Sequence, residues 1–529
     1  MRSGKVGAFS RAELAGLVAV PAAKLLLHLA TLRGYGVFRD ELYYLASTER
    51  LAWGFVDHPP LSIALLALVT GLLGESLPAV RLVPALAGAA AVLVVGLTAR
   101  RLGAGAFGQA VAMVATFAAP LYLALHHIYS MNALDVLVWA LAAYLLLGVL
   151  ERPTPGRWAG LGLLLGLGLQ TKISVLWLGA GLAVGLVATR RGRRLLATPG
   201  PWLAGGLALL LFSPYVLWNA AHGWPTLEFM ANATAFKMVA RSPAAYLADL
   251  ALSMNPLALP VWAGGLALLL AGGPFRAGGE RRGEVRILGW AAVAVLLILL
   301  LAGSAKISYA AAPLTWLFAA GGPAVEAALR RLLEGHPRAA PAARGAVLLL
   351  LLASGAALAP LALPVLPVEG YLAWSRALGI APGTEERHEM GALPQFFADM
   401  HGWEELVDEV ERVVASLPPE ERAKAVVFGQ NYGEAGAVDV LGRPRGLPPA
   451  ISGHNSYWLW GLPPGATGDV VVILGDERED LEALFHRVER AGTVRCDYCM
   501  PYENDLPVWV ARDLRGDLRE VWPAVKSFN

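Results

Sequence analysis

The stretch WAGLGLLLGLGLQTKISVLWLGAGLAVGLVAT, residues 158–189, decides the fold class: its 32 residues carry a single charge, Lys172, with Arg157 and Arg190 at the two ends. A membrane-crossing helix needs roughly 20 mostly apolar residues. The stretch is too long for one crossing and suits two tightly paired spans that turn at 170–172. Outward from it, apolar windows of spanning length sit near 12–33, 82–99, 107–125, 134–150, 201–219, 254–272, 286–304, 309–325 and 345–366. The sum is eleven crossings. Composition agrees: 56% of the 529 residues are hydrophobic and 16% charged, with mean hydropathy +0.53, where soluble domains carry about 25% charge. The net charge of +2 offers no general basic field, so no nucleic-acid partner is expected. Residues 14–32 are long enough to span and lack a small-residue cleavage site, which makes them a first anchor rather than a signal peptide.

Basic residues cluster at 2–11, 100–101, 152–157, 190–194, 276–286 and 330–344. Under the positive-inside rule these lie in the cytoplasm. The connections 34–81, 126–133, around 172, 220–253 and 305–308 then lie outside. The apolar run 59–73 could be taken for a crossing, but that would put Arg100 and Arg101 outside, so it is expected to be an interfacial or re-entrant helix within the first external loop. The expectation is a multi-pass protein of the cell (inner) membrane with an external C-terminus.

Composition changes near residue 368. An acidic helical run, WEELVDEVERVV (403–414), alternates with strand-like AVVF (425–428), DVVVIL (469–474) and VWVAR (508–512). This pattern predicts an α/β domain over 368–529, following a membrane module over 1–367. The motif CDYC (496–499) predicts a Cys496–Cys499 disulfide in an oxidising external compartment.

Ionisable groups at a membrane boundary are costly and point to function. The first external loop opens with RDELYYLAS (39–47) and continues into GFVDHPPLSIALL (54–66), which places Asp40, Glu41, Tyr43, Tyr44, Asp57 and His58 just above the bilayer. The second, HHIYSMNALDVLVWALAAY (126–144), brings His126, His127 and then Asp135 in the first turn of the next span, where the helix dipole favours a carboxylate. Lys172, Lys306 and Arg81 mark external span ends, positions where a long basic side chain also simply reaches the headgroups. Lys24 and His28 share one face of the first span. In the tail, SGHNSYWLWG (452–461) suits either sugar binding or burial in the α/β core.

The acidic pair followed by tyrosines, the DHPPL element and the Asp opening the helix after the third span together resemble the GT-C glycosyltransferases. More narrowly, the chain looks like the bacterial branch of the protein O-mannosyltransferase family, which includes the lipid A aminoarabinose transferases. GLGLQTKISVLWLG (166–179), AKISYAAAPLTWLFAAGG (305–322) and FGQNYGEAGAVDVLG (428–442) extend the likeness in order along the chain. The resemblance implies inverting transfer of a sugar from a polyprenyl-phosphate-type donor on the non-cytoplasmic face. By it Asp40 is the catalytic base, with Glu41 its neighbour and Asp135 the acid of the second loop. It puts His58 at the donor phosphate, where the positions of Lys172, Lys306 and Arg81 at external span ends add them as candidates, and the substrate-pocket candidates are Tyr43, Tyr44, Asp57, His126, His127 and Tyr309. His58 stands where the family often has Lys, a stronger phosphate partner. No metal and no cofactor is expected. The partners are the lipid-linked sugar donor, membrane lipids, and an acceptor left open among glycan, lipid and protein.

A transporter or flippase of lipid-linked sugars would also place charges within a polytopic bundle. Transporters commonly show pseudo-symmetric halves and helices broken at mid-membrane, whereas here the acids gather at one face beside an appended domain.

Overall fold

The computed structural model describes residues 8–272 and 285–529. The basic positions 2–7 and 276–284 of the sequence reading lie outside the described residues. A helix stands over each of the apolar windows, beginning with α1 (Arg11–Thr31), α2 (Arg39–Thr48), α3 (Leu61–Leu73), α4 (Leu77–Arg101), α5 (Ala106–Phe117), α6 (Pro120–Leu125), α7 (Met131–Glu151), α8 (Pro155–Leu169) and α9 (Val175–Ala188). Among the described residues, five helices are long and apolar enough to cross a membrane: α1, α4, α7, Pro199–Ala221 and Pro337–Leu361. A further pair, Pro243–Ser253 and Pro256–Ala271, is bent by 98° beside Asn255, whose φ of 68° breaks the helix. The fold class is therefore polytopic α-helical membrane protein with a small C-terminal α/β sheet domain. The helix α3 has 13 residues, too few at 1.5 Å each to cross alone.

By compactness the described residues form two units. The second comprises Tyr35–Val80, Leu217–Val239 and Val368–Asn529; the first is the remaining helical part. The sequence reading left 35–80 and 217–239 with the first 367 residues.

In the first unit, α1 is fixed by a reciprocal cap. Ser10 Oγ accepts the Glu13 N–H at 3.2 Å and Glu13 Oε2 accepts the Ser10 N–H at 2.7 Å. Glu13 Oε1 also accepts from Gln109 Nε2 of α5 at 2.8 Å and Arg100 Nε of α4 at 3.3 Å, so one carboxylate ties three helices. Packing relies on missing side chains: a Cβ at Gly265 would stand 1.9 Å from the Leu317 carbonyl oxygen, so only glycine lets Leu259–Ala271 and Ala311–Leu332 approach this closely.

In the second unit, five strands run in the order β2-β1-β3-β5-β4: β1 (Val426–Phe428), β2 (Ala450–Ile451), β3 (Val470–Leu474), β4 (Phe485–Val494) and β5 (Leu506–Leu514). β1 pairs parallel with β2 and β3, while β5 pairs antiparallel with β3 and β4. One face of the sheet packs Val472, Val508 and Val510 against Leu406, Val407 and Val410 of the helix Trp403–Ser416, together with Leu42, Tyr43 and Ala46 of α2. The helix that opens the first loop thus completes the core of a sheet built from the chain's end.

Candidate active site and comparison with known proteins

Chain entry into α2 sets the geometry of the acidic pair. Phe38 is extended at φ −81°, ψ 145°, and Glu41 turns back so that its Oε2 accepts the Phe38 N–H at 2.9 Å. Glu41 is fully buried. Of the pair placed in the catalytic set from sequence, Glu41 closes the helix end.

Asp40 points another way. Its side chain is 33% exposed, and its Oδ1 lies 3.6 Å from Arg39 Nε and accepts the Tyr432 hydroxyl at 2.9 Å. Tyr432 opens the helix Tyr432–Ala437, where Asn431 Oδ1 accepts the Gly433 and Glu434 N–H groups at 2.8 and 3.1 Å. Gly433 is required, because a Cβ there would stand 2.5 Å from Arg39 Cγ.

Arg39 is buried behind Asp40. Its Nη1 donates to the Tyr502 hydroxyl at 2.9 Å, and its Nη2 lies 3.5 Å from Asp399 Oδ2 and 4.0 Å from Glu386 Oε2. Burial opposes its charge, but Asp399 and the neighbouring Asp40 outweigh that and hold the guanidinium firmly protonated. Burial pushes Asp399 up to about 6 against the pull of Arg39. Glu386 accepts from Gln395 Nε2 at 3.0 Å, with Lys237 Nζ 3.8 Å away.

The other loop residues form a second cluster in the same unit. The Tyr43 hydroxyl donates to Asp57 Oδ1 at 2.8 Å and lies 2.7 Å from Ser456 Oγ, which accepts the Val56 N–H at 3.1 Å. Burial, then Asp57, hold the Tyr43 phenol well above its ordinary value. The ring of Tyr44 stacks on His58 at 4.8 Å and 9°. His58 has no exposed surface. The Pro-Pro turn folds the His58 ring between Tyr44 and Phe55.

In the first unit, the helix α7 starts at Met131, with Ser130 as its cap. Asp135 therefore lies beyond the first turn, and the dipole does not explain it. It is buried, accepting from Trp139 Nε1 at 3.0 Å and Ser174 Oγ at 2.9 Å. Lys172 Nζ lies 3.6 Å from Asp135 Oδ2, donates to Asn132 Oδ1 at 2.7 Å and sits 4.8 Å from the Tyr309 ring centroid. Lys306 and Tyr309 are half-buried. Arg81, His126 and His127 are all buried. Arg81 Nη1 donates to the Leu32 carbonyl at 2.9 Å and lies 3.3 Å from His127 Nε2; His126 Nδ1 is 2.6 Å from the Tyr122 carbonyl. Arg81, His126 and His127 thus lie in an interior cluster, which Lys24 joins through the same Tyr122 carbonyl at 3.2 Å.

An open cavity of about 190 Å³ in the second unit is lined by Leu45, Ala46, Glu49, Glu75, Asp439 and Arg443 among others. It lies at the far end of α2 and does not include Asp40. Among the described residues, no group of three or more His, Cys, Asp and Glu side chains has a metal-holding arrangement. In place of the expected disulfide, Cys496 and Cys499 are free thiols in this structure, with the Cys499 N–H donating to Cys496 Sγ at 3.1 Å.

The fold is that of the GT-C membrane glycosyltransferases. Residues 57–218 match the family model described as dolichyl-phosphate-mannose-protein mannosyltransferase. Two solved structures of ArnT from Cupriavidus metallidurans superpose with a TM-score of 0.57. The undecaprenyl-phosphate-bound form is 14% identical and is matched over 94% of this chain and 98% of its own; the apo form is 16% identical, over 94% and 97%. No curated protein matches the chain in sequence.

Proposed function

We propose that this GT-C glycosyltransferase transfers a sugar from a polyprenyl-phosphate-type donor to an acceptor hydroxyl on the non-cytoplasmic face, with Asp40 as general base. The observation that carries the reading is the exposure of one acid in a buried network. Asp40 is 33% exposed, while the side chains of Asp399 and Glu386 are 3% and 4% exposed. An acceptor hydroxyl can reach Asp40 alone among these three carboxylates.

In inverting transfer the base removes the hydroxyl proton as that oxygen bonds the anomeric carbon and the lipid phosphate leaves. Phosphate leaves without a general acid but needs positive charge where its oxygen becomes anionic. The sequence reading puts Lys172 and Lys306 at external span ends, and we propose them for that task. The ArnT structure that binds undecaprenyl phosphate supports a donor of this class.

Asp40→Asn keeps size and hydrogen bonding while removing the base. It is expected to leave expression and donor binding near wild type and to cut transfer by at least about 10², the contribution general-base catalysis typically makes. Transfer at the wild-type rate would refute the assignment. Mass analysis of envelope glycans and lipids from a deletion strain identifies sugar and acceptor.

A further inference from the structure

The tail carries a pair of sulfurs that the proposed transfer chemistry does not use. Cys496 and Cys499 sit in a turn between β4 and Pro501–Glu503, with Cys496 half-exposed and Cys499 buried. The Cys496 sulfur accepts the Cys499 N–H at 3.1 Å, and the Cys499 thiol faces the Cys496 carbonyl at 3.4 Å. Both sulfurs flank one backbone position. A Cβ at Gly402 would lie 3.2 Å from Cys496 Sγ and 3.4 Å from Cys499 Sγ, and Gly402 has φ +93°. Glycine both adopts that conformation and leaves the sulfurs room to meet.

Gly402 is also the N-cap of the 14-residue helix Trp403–Ser416. The Cys496 sulfur thus lies beside the N-terminal end of that helix, whose dipole favours thiolate, while Glu405 of its first turn opposes it. We infer that Cys496 and Cys499 are a thiol–disulfide exchange site whose co-reactant is a disulfide, with Cys496 the attacking sulfur and Cys499 the resolving one. The hydrogen bond between the two sulfurs acts in the same direction, holding the Cys496 thiol below its ordinary value and the Cys499 thiol above it.

The reaction balances as two exchanges. Cys496 thiolate attacks one sulfur of the co-reactant, forming a mixed disulfide and releasing the other half as thiolate. That thiolate takes up a proton. Cys499 then loses its proton to solvent and attacks Cys496 Sγ; the protein disulfide closes and the second half departs and is protonated. Two electrons and two protons pass from the protein dithiol to the co-reactant. The turn runs directly into Tyr502, which receives the Arg39 hydrogen bond, so ring closure acts one step from the Arg39 network.

The test uses the full chain in detergent, with glutathione as probe, and needs no transfer assay. Limiting iodoacetamide should label Cys496 at least about tenfold faster than Cys499, the ratio that one pK unit gives. Oxidised glutathione should yield protein lighter by two hydrogens, restored by dithiothreitol. Cys499→Ser should stop at a single glutathionyl adduct on Cys496, and Cys496→Ser should form little adduct. Equal labelling of the two sulfurs, thiols that stay free in oxidised glutathione, or an adduct that forms equally well in both serine variants would each overturn the proposal.

Discussion

Asp40 and Asp135 are each a carboxylate beside a basic side chain and an aromatic hydroxyl or ring, yet they occupy opposite environments. Asp40 sits at the start of α2 with a third of its side chain open and its basic neighbour buried behind it. Asp135 is enclosed, with every described contact directed to Lys172, Ser174 or Trp139. The same residue types thus make an accessible carboxylate in one unit and an internal brace in the other. Exposure, more than proximity of opposite charge, sets the two carboxylates apart.

The sharpest way to break this comparison is to neutralise the brace. Asp135→Asn leaves Lys172 buried without its carboxylate, a change that costs about 3–5 kcal/mol in typical buried pairs. Asn132 and Tyr309 still hold the ammonium, so the expected loss is at the low end, read as a fall in the thermal midpoint in detergent. Asp40→Asn should change stability by less than about 1 kcal/mol, as befits a partly exposed pair. Equal destabilisation by the two variants would erase the distinction.

A smaller effect should appear with pH in the second unit. Burial, with Arg39 opposing it, raises Asp399 from its ordinary value of 3.8 to about 6, and burial raises Glu503 from 4.5 to about 7 while its bond from Asn431 opposes. A raised acid binds more protons folded than unfolded between those limits. Stability is therefore fully present below about pH 4 and is lost as pH rises through 6 to 7. Glu503→Gln should flatten the upper part of that slope in thermal melts at stepped pH; an unchanged profile would remove Glu503 from the account.

The smallest effect is expected for Tyr432→Phe, which deletes the hydroxyl that Asp40 accepts. Losing one hydrogen bond to a charged group costs about 1.5–3 kcal/mol at most and less at a partly open site. Transfer should fall severalfold, far less than with Asp40→Asn. A larger loss for Tyr432→Phe would make the tyrosine, not the aspartate, the critical group.

The membrane class was legible because spans announce themselves by length and hydropathy, and the helices found stand where apolar runs lie. The acidic pair stood out as a motif, and the structure leaves Asp40 its exposed member. The role of Glu41 was not, since a capping box is ordinarily read from a Ser or Thr at the cap and here the cap is Phe38. β4, FHRVERAGTV, escaped notice because an edge strand with exposed Arg and Glu side chains lacks an apolar run. Asp399 and Glu386 carried no local signal. Their partner Arg39 lies more than three hundred positions away in the chain, and no periodicity reports such a contact. Arg81 was read from its place at a span end and His58 from the family's usual Lys position; their packing against the Leu32 carbonyl and His127, and between Tyr44 and Phe55, carried no sequence signal.

The place of Leu42, Tyr43 and Ala46 in the core of the C-terminal sheet has a consequence for synthesis. The ribosome makes α2 early and Val426–Phe428, Val470–Leu474 and Leu506–Leu514 last, with most of the spans in between. At about 5–20 residues per second, that apolar face waits roughly tens of seconds for the strands that cover it. During that interval membrane or chaperone must shelter it, and a fragment beginning at residue 368 would be born without part of its own interior.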